Sequence, residues 1–281
     1  MSFVLQESLS LPGDPGKMNE DAFAYSDSAA LVLDGATPLG EALMPGPSDA
    51  AWLAQFGSRR LMAHLEDGDA PKDAVAHALA DAEKSFRALA RRPVREKWEL
   101  PCASMMLVTR TRAEDLEFLW FGDCTALVLK DGGCEIIGDG FDQRGQEAQR
   151  ARQLVQEKNL SPAPDLNRPE ILGALRAARN RINSGGHWLF SPESRAAARV
   201  SRQRVQASTG TLLLIASDGF MALATDYGTY NAVALMAAAR DKGLAILGEE
   251  LRAIETGDAM GEKFPRFKKS DDATALLLEV V

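Results

Sequence analysis

Residues 29–40 read AALVLDGATPLG. Residues 30–33 form a continuous apolar run, and Asp34 and Gly35 close it. A strand that is polar on neither face is buried on both, so its terminal carboxylate stands where a core ends. The pattern returns in TLLLIASDGFMAL, residues 211–223, and more loosely in LEFLWFGDCTALVL, residues 116–129. Three apolar strands each deliver an acid at or near one end.

Taken singly, each acid has an ordinary reading. Asp34-Gly35 and Asp218-Gly219 suit turns, because Asp and Gly accept turn backbones for local reasons. Asp123 suits a hairpin, Asp271-Asp272 a solvated strand entry, and Asp21 in MNEDAF a surface loop. Taken together they say more. Strands of one sheet end in one layer, so acids at their ends converge. Converging carboxylates repel one another, which raises their pKa values and costs stability. The sequence offers no buried Lys or Arg beside them, so a hard divalent cation is the expected partner. The glycine after Asp34 leaves room for its own carbonyl to approach such an ion. Two ions held side by side would activate a water and clamp a phosphoryl group.

Around these acids the chain alternates runs of strands with runs of helices. Residues 3–8 and 22–33 read as strands, the second broken by a turn at 26–28. SDAAWLAQFGSRRLMAHL, from Ser48, spaces Trp52, Leu53, Phe56, Leu61 and Leu65 helically, with Ser48 as N-cap. KDAVAHALADAEKSFRALARRP repeats the pattern through Val75, Leu79, Ala82, Phe86 and Leu89, and Pro93 ends it. Four short strands follow between 102 and 139, with turns at 112–114, Asp123 and 131–133. Residues 142–182 are polar, Arg-rich and helical in pattern. GGHWLFSP is a short strand or loop, RQRVQA and TLLLIAS are strands, 229–240 and 243–255 are helices, and DDATALLLEV is a closing strand. Grouped strands and grouped helices predict an α+β fold with antiparallel sheets covered by helices.

Bulk properties narrow the partners. The 281 residues suffice for one large domain, and 46% of them are hydrophobic, so a sizeable core is expected. A net charge of −8 argues against duplex nucleic acid or an anionic membrane as the main partner. Cys102, Cys124 and Cys134 are odd in number and lack metal-ligand spacing, which predicts reduced thiols in a cytoplasmic protein. The start, MSFVLQESLS, has neither a basic nor a long apolar region of the signal-peptide kind.

The motifs NEDAF (19–23), VLDGAT (32–37), FGDCTALVLKDG (121–132), ASDGF (216–220) and DDATALLL (271–278) occur in the order and rough spacing of the metal-dependent protein phosphatases. The chain thus resembles, over essentially its whole length, the PPM or type 2C serine/threonine phosphatase family, as a divergent bacterial-type member. The resemblance implies a four-layer α-β-β-α sandwich in a single catalytic domain, 1–281, with a helical Arg-rich insert at about 142–206. It implies two divalent ions, Mn²⁺ or Mg²⁺, with a third in some members. Asp34 matches the carboxylate that bridges both ions, and Gly35 the carbonyl ligand. Asp218 and Asp271 match the remaining ligands of the first ion, with Asp271 preferred over Asp272. Asp21, beside Glu20, matches an acid of the second ion's shell, and Asp123 an acid of the third. The implied reaction is attack on a phosphoserine or phosphothreonine ester of a protein substrate by a water bridging the ions, oriented by Asp34 and Asp218.

The chain departs from the family pattern at several positions. The arginine that holds the substrate phosphate falls at Gly16, with Lys17 beside it as a point charge lacking the guanidinium fork. Ala36 stands where many relatives carry a histidine, although bacterial-type relatives often lack it too, and Thr37 stands where a glycine is usual. GDCTA replaces G-D-S-R, losing another arginine. Arg144, Arg150, Arg152, Arg168, Arg176, Arg179 and Arg181 offer a guanidinium or a solvated helix face. Trp188 reads as packing or groove lining. His64 lies near a helix C-terminus, where positive charge is welcome, and none of His64, His77 and His187 is given a catalytic role. The departures keep two further readings open: a phosphatase-like regulatory or scaffolding protein with little turnover, and a phosphatase for a small metabolite.

Overall fold

In a computed structural model, residues 2–111, 115–130, 133–141 and 169–281 are described. The expected turn at 112–114, part of the one at 131–133, and Arg144, Arg150, Arg152 and Arg168 lie outside them.

Among the described residues, ten strands form two five-stranded antiparallel sheets. β1 (Phe3–Leu11), β10 (Ala273–Val280), β9 (Leu212–Ala216), β6 (Thr125–Lys130) and β7 (Gly133–Ile137) form the first, in that order. β2 (Asp21–Tyr25), β3 (Ala29–Gly35), β4 (Ala103–Arg110), β5 (Asp115–Phe121) and β8 (Ser201–Gln206) form the second. The sheets pack face to face. Ala30, Val32, Met106, Val108 and Phe118 of the second meet Ala126, Val128, Leu213, Ile215, Leu276 and Leu278 of the first. This inner layer is fully buried, and it sets the period-2 phase of every central strand.

The outer faces carry helices. α1 (Asp49–Glu66) and α2 (Pro71–Leu89) bring Leu53, Leu61, Val75 and Leu79 onto Leu31, Leu33, Met105 and Leu107. Ser48 caps α1 as expected, its hydroxyl accepting the Ala51 N–H at 3.3 Å. α2 stops at Leu89, before Pro93. On the other side, α4 (Asp218–Thr225), α5 (Ala232–Lys242) and α6 (Leu244–Gly257) set Phe220, Leu235, Leu247 and Leu251 on Leu127, Leu214 and Leu277. The result is the expected α-β-β-α sandwich. The continuous apolar run of β3 follows directly: Leu31 and Leu33 face helices while Ala30 and Val32 face the opposite sheet.

One detail differs from the sequence reading. The sequence pattern predicts no helix between β9 and 229, and α4 stands there, starting at Asp218. GGHWLFSP, read as a short strand or loop, is a loop in which Phe190 makes an isolated bridge to Ala103. Within the segment 142–206, α3 (Pro169–Arg179) is a helix, and the C-terminal end is strand β8, paired with β5. Among the described residues no helix is long and apolar enough to cross a membrane.

Candidate active site

The strand phase places the acids. Asp34 follows Ala30 and Val32 at even spacing, so it belongs to the inter-sheet face of β3. Asp21 is its direct partner across the β2–β3 ladder and shares that face with Phe23. From the first sheet come Asp218, directly after β9 as the first residue of α4, and Asp271, just before β10. Asp123 lies in the turn where the chain crosses from β5 in one sheet to β6 in the other. The acids therefore converge from both sheets, at one end of the inner layer. The expectation that the strands of one sheet would supply them is corrected by this, because the sheets pack with their ends aligned.

Asp34, Asp123 and Asp218 each bring a carboxylate oxygen to within 4.8 Å of the others. Asp123 is held by Ser104, whose hydroxyl donates to Oδ1 at 2.6 Å. Asp21 is 5% exposed, and neither of its carboxylate oxygens has a hydrogen-bond partner. Burial pushes its pKa well up; the Ser217 hydroxyl nearby works against this, and Asp272, Asp271 and Asp218 add to it. Burial likewise raises Asp34, reinforced by Asp218, Asp21 and Asp271. Cys124, buried beside them, has its thiol pushed well up by burial and by Asp34, Asp123, Asp21 and Asp218, so it is no nucleophile. A buried carboxylate with no donor is unusual, because leaving it unpaired costs free energy. A divalent cation answers that lack with the charge and the oxygen preference the site presents.

One cation does stand among the acids, and the sequence reading missed it. Lys268 puts its ammonium 2.6 Å from Asp271 Oδ1. Burial disfavours its charge, yet Asp271, with Asp34 and Asp218 behind, holds its pKa above the ordinary value. This corrects the expectation that no Lys or Arg stands beside the acids, although the Lys268 side chain is part-buried, 29% exposed, rather than buried. The signal was the spacing Lys268–Asp271 in FKKSDD, which reads as a solvated charge run. Lys17, by contrast, stands on the surface 3.7 Å from Asp14, and among the described residues no hydrogen bond or ion pair joins it to the acids.

The neighbouring polar residues are scaffolding. Asp272 accepts the Gly13 N–H at 2.7 Å and the Glu20 N–H at 2.5 Å, tying the β1–β2 loop to the start of β10. Glu20 accepts hydroxyl donors from Thr37 at 2.6 Å and Ser48 at 2.5 Å. Gly35 is required by close approach: a Cβ there would lie 2.5 Å from the Glu20 carbonyl oxygen and 2.9 Å from that of Ala50. The described arginines of the Arg-rich segment also act locally. Arg176 donates to the Leu39 carbonyl and stacks over Trp98, and Arg179 donates to the Thr37 carbonyl at 2.9 Å. Both pin the loop that follows Asp34-Gly35. Trp188 packs against the core under α1 and α2.

No protein-family model matches the sequence, and no curated protein matches it. Solved structures do. The serine/threonine phosphatase PstP/Ppp of Mycobacterium tuberculosis aligns with a TM-score of 0.60 at 16% identity, covering 100% of this chain and 99% of that one. The catalytic domain of PstP in complex with two manganese ions aligns at 0.56 and 17% identity, covering both chains fully. The serine/threonine phosphatase Stp1 of Staphylococcus aureus aligns at 0.58 and 14% identity, covering 99% and 96%. The chain has the fold of the PPM-type serine/threonine phosphatases.

Proposed function

We propose that this protein is a divalent-metal-dependent phosphatase acting on phosphoserine or phosphothreonine in proteins. The observation that carries this reading is Asp21, whose two buried, unpartnered carboxylate oxygens face the acids converging from both sheets. Asp34, the Gly35 carbonyl, Asp218 and Asp271 would hold one ion, with Asp34 shared and Asp21 on a second. Asp123 would serve a third. Mn²⁺ and Mg²⁺ fit because every donor is a hard oxygen. Bound there, such ions would supply a water nucleophile at neutral pH and neutralise phosphoryl charge. Asp34 and Asp218 would orient the attacking water, and the Ser104 hydroxyl would keep Asp123 turned toward them. Lys17 would offer a point charge at the rim and Lys268 one inside, in place of the arginine that Gly16 replaces.

A second reading has its own observation: Lys17 pairs on the surface with Asp14 at 3.7 Å, so the charge offered in place of the arginine is already partly answered. It makes the chain a phosphatase-like regulatory protein that binds metal without turnover. Both are tested by following hydrolysis of an aryl phosphate and a phosphothreonine peptide with Mn²⁺, Mg²⁺ or EDTA, for the wild type and Asp218→Asn, beside melting curves. Metal-dependent turnover lost in the variant supports the phosphatase. A metal-induced melting shift without turnover supports the second reading. Neither turnover nor shift overturns both.

A further inference from the structure

The α1–α2 hairpin carries a second constellation, at the end of α1 remote from Ser48. His64 lies in the last turn of α1, Asp69 in the connecting loop and His77 in α2. The Asp69 backbone N–H donates to the His64 carbonyl at 3.0 Å, which folds the loop back over the helix end. Both imidazoles then aim Nδ1 at one oxygen, Asp69 Oδ2, at 2.7 Å from His77 and 3.3 Å from His64. The two rings lie 5.2 Å apart, centroid to centroid.

The far side of His64 is engaged as well. Its Nε2 is 2.9 Å from Asp81 Oδ2, and Asp81 is fixed by a 2.7 Å hydrogen bond from Arg60 Nε. Arg60 Nη2 also approaches Nε2, at 3.3 Å. A neutral imidazole has one N–H. With a carboxylate at each ring nitrogen, one of the two N···O contacts lacks its proton, whichever tautomer is present. With the N–H on Nε2, toward Asp81 at 2.9 Å, Nδ1 presents a lone pair to Asp69. Two lone pairs facing each other are relieved by a proton or by a metal ion between them, and His64 Nδ1, Asp69 Oδ2 and His77 Nδ1 lie within 4.8 Å of one another, a spacing one ion can span.

We propose that His64, Asp69 and His77 form a binding site for a borderline transition-metal dication, Zn²⁺ foremost, which clamps the α1–α2 hairpin. The ligand atoms are Nδ1, Oδ2 and Nδ1. A tetrahedral zinc with bonds of about 2.0–2.1 Å has ligand-to-ligand edges of about 3.4 Å; the 3.3 Å between His64 and Asp69 matches that edge, and the 2.7 Å between His77 and Asp69 would open to admit the ion. Asp81 is the outer carboxylate that ligating histidines use to fix their tautomer. Two imidazoles favour zinc, nickel or copper over magnesium and calcium, so the site differs in chemistry from the all-oxygen cluster between the sheets. The fourth position faces solvent on the His77 side, where the ring is half exposed, and would take water.

The test titrates Zn²⁺ calorimetrically into the intact protein held in excess Mg²⁺, which occupies the oxygen cluster. Wild type is expected to take one zinc with a melting increase. His77→Gln and His64→Gln should each lose that equivalent, while His187→Gln, at the remaining histidine of the chain, should keep it. Asp81→Asn should bind about 10–100-fold more weakly. Co²⁺ in place of zinc should give the visible absorption of a tetrahedral centre, absent in His77→Gln. Melting curves in EDTA establish that each variant folds. If wild type takes no zinc beyond what merely displaces Mg²⁺ from the oxygen cluster, or if His77→Gln takes as much as wild type, the cluster is an ion-pair network and the proposal falls.

Discussion

Asp21 and Asp34 are direct cross-strand partners in the β2–β3 ladder, so two carboxylates share one buried face of the inter-sheet layer. Like charges directly opposite are destabilising, and here burial compounds the repulsion. A fold that keeps this pair keeps it for what it binds.

The pair predicts a pH dependence with a definite sign. Both folded-state pKa values lie above the unfolded value of about 3.9. The folded state therefore binds more protons, and stability falls as pH rises between the two values. In EDTA, the stability this pair contributes should be fully present near pH 4 and be lost as pH climbs through the raised values, while below pH 4 the carboxylates held down by partners, Glu99 among them, lose theirs. Saturating Mn²⁺ should flatten or reverse that loss. Asp21→Asn should raise the EDTA melting temperature at pH 8 by about 2–4 °C, roughly 1 kcal/mol at this size, and blunt the Mn²⁺ response. Melting in EDTA that is independent of pH would count against this account of the pair.

Lys268 predicts a trade between its own charge and the metal's. Its ammonium neutralises Asp271 at 2.6 Å and adds repulsion toward any incoming dication. Lys268→Met should lower the melting temperature in EDTA, since it leaves the acids with less positive charge. The same change should tighten Mn²⁺ binding by about tenfold or more, from a unit charge a few ångströms away in a partly screened site. Calorimetry with Mn²⁺ reads the second effect directly. Unchanged affinity would mean that Lys268 withdraws from the cluster when metal arrives.

Most of the fold was legible because its physics is local. The apolar runs at β3 and β9, the helical stripes of α1 and α2, and the Ser48 cap are properties of neighbouring residues. Helix α4 was not legible, because eight residues beginning DG, after Ser217, look like a turn, and packing on Leu127, Leu214 and Leu277 makes them a helix. The acids were identifiable as a set, but not their origin in two sheets, since strand partners are not written in sequence. Lys268 and Asp272 lie four positions apart in FKKSDD, with no local mark to tell counter-ion from clamp. The distinction rests on Gly13 and Glu20, more than 250 positions away.

Two glycines should respond oppositely to the same change. At Gly219 an added Cβ would stand 2.0 Å from the Asp272 carbonyl oxygen, a backbone atom that cannot step aside. Gly219→Ala should cost at least about 2 kcal/mol, as overpacking at a rigid contact does. It should also weaken the Mn²⁺-induced melting shift, by moving Asp218 next to it. At Gly173, exposed within α3, a Cβ meets nothing within 4 Å. Gly173→Ala should stabilise by about 0.5–1 kcal/mol, the helix cost of glycine. Denaturant melts of the two variants decide it; equal effects would contradict the packing described at the start of α4.

The adjacent acids Asp271 and Asp272 should separate into a ligand and a clamp. Asp272 spends both oxygens on backbone N–H groups of Gly13 and Glu20, which turns them toward the loop, and its loss frees the loop that leads to Asp21. Asp271 makes one side-chain ion pair, to Lys268, and accepts its neighbour's N–H on the same oxygen. Asp272→Ala should therefore lower the melting temperature in EDTA, with two backbone donors left unpaired at about 1–3 kcal/mol each if they stay dry. Asp271→Asn should change the EDTA melt little and abolish most of the Mn²⁺-induced shift. Melting each variant with EDTA and with Mn²⁺ gives four numbers. If the two variants behave alike, or if Asp272→Ala is the one that loses only the metal response, the assignment of Asp271 as ligand is reversed.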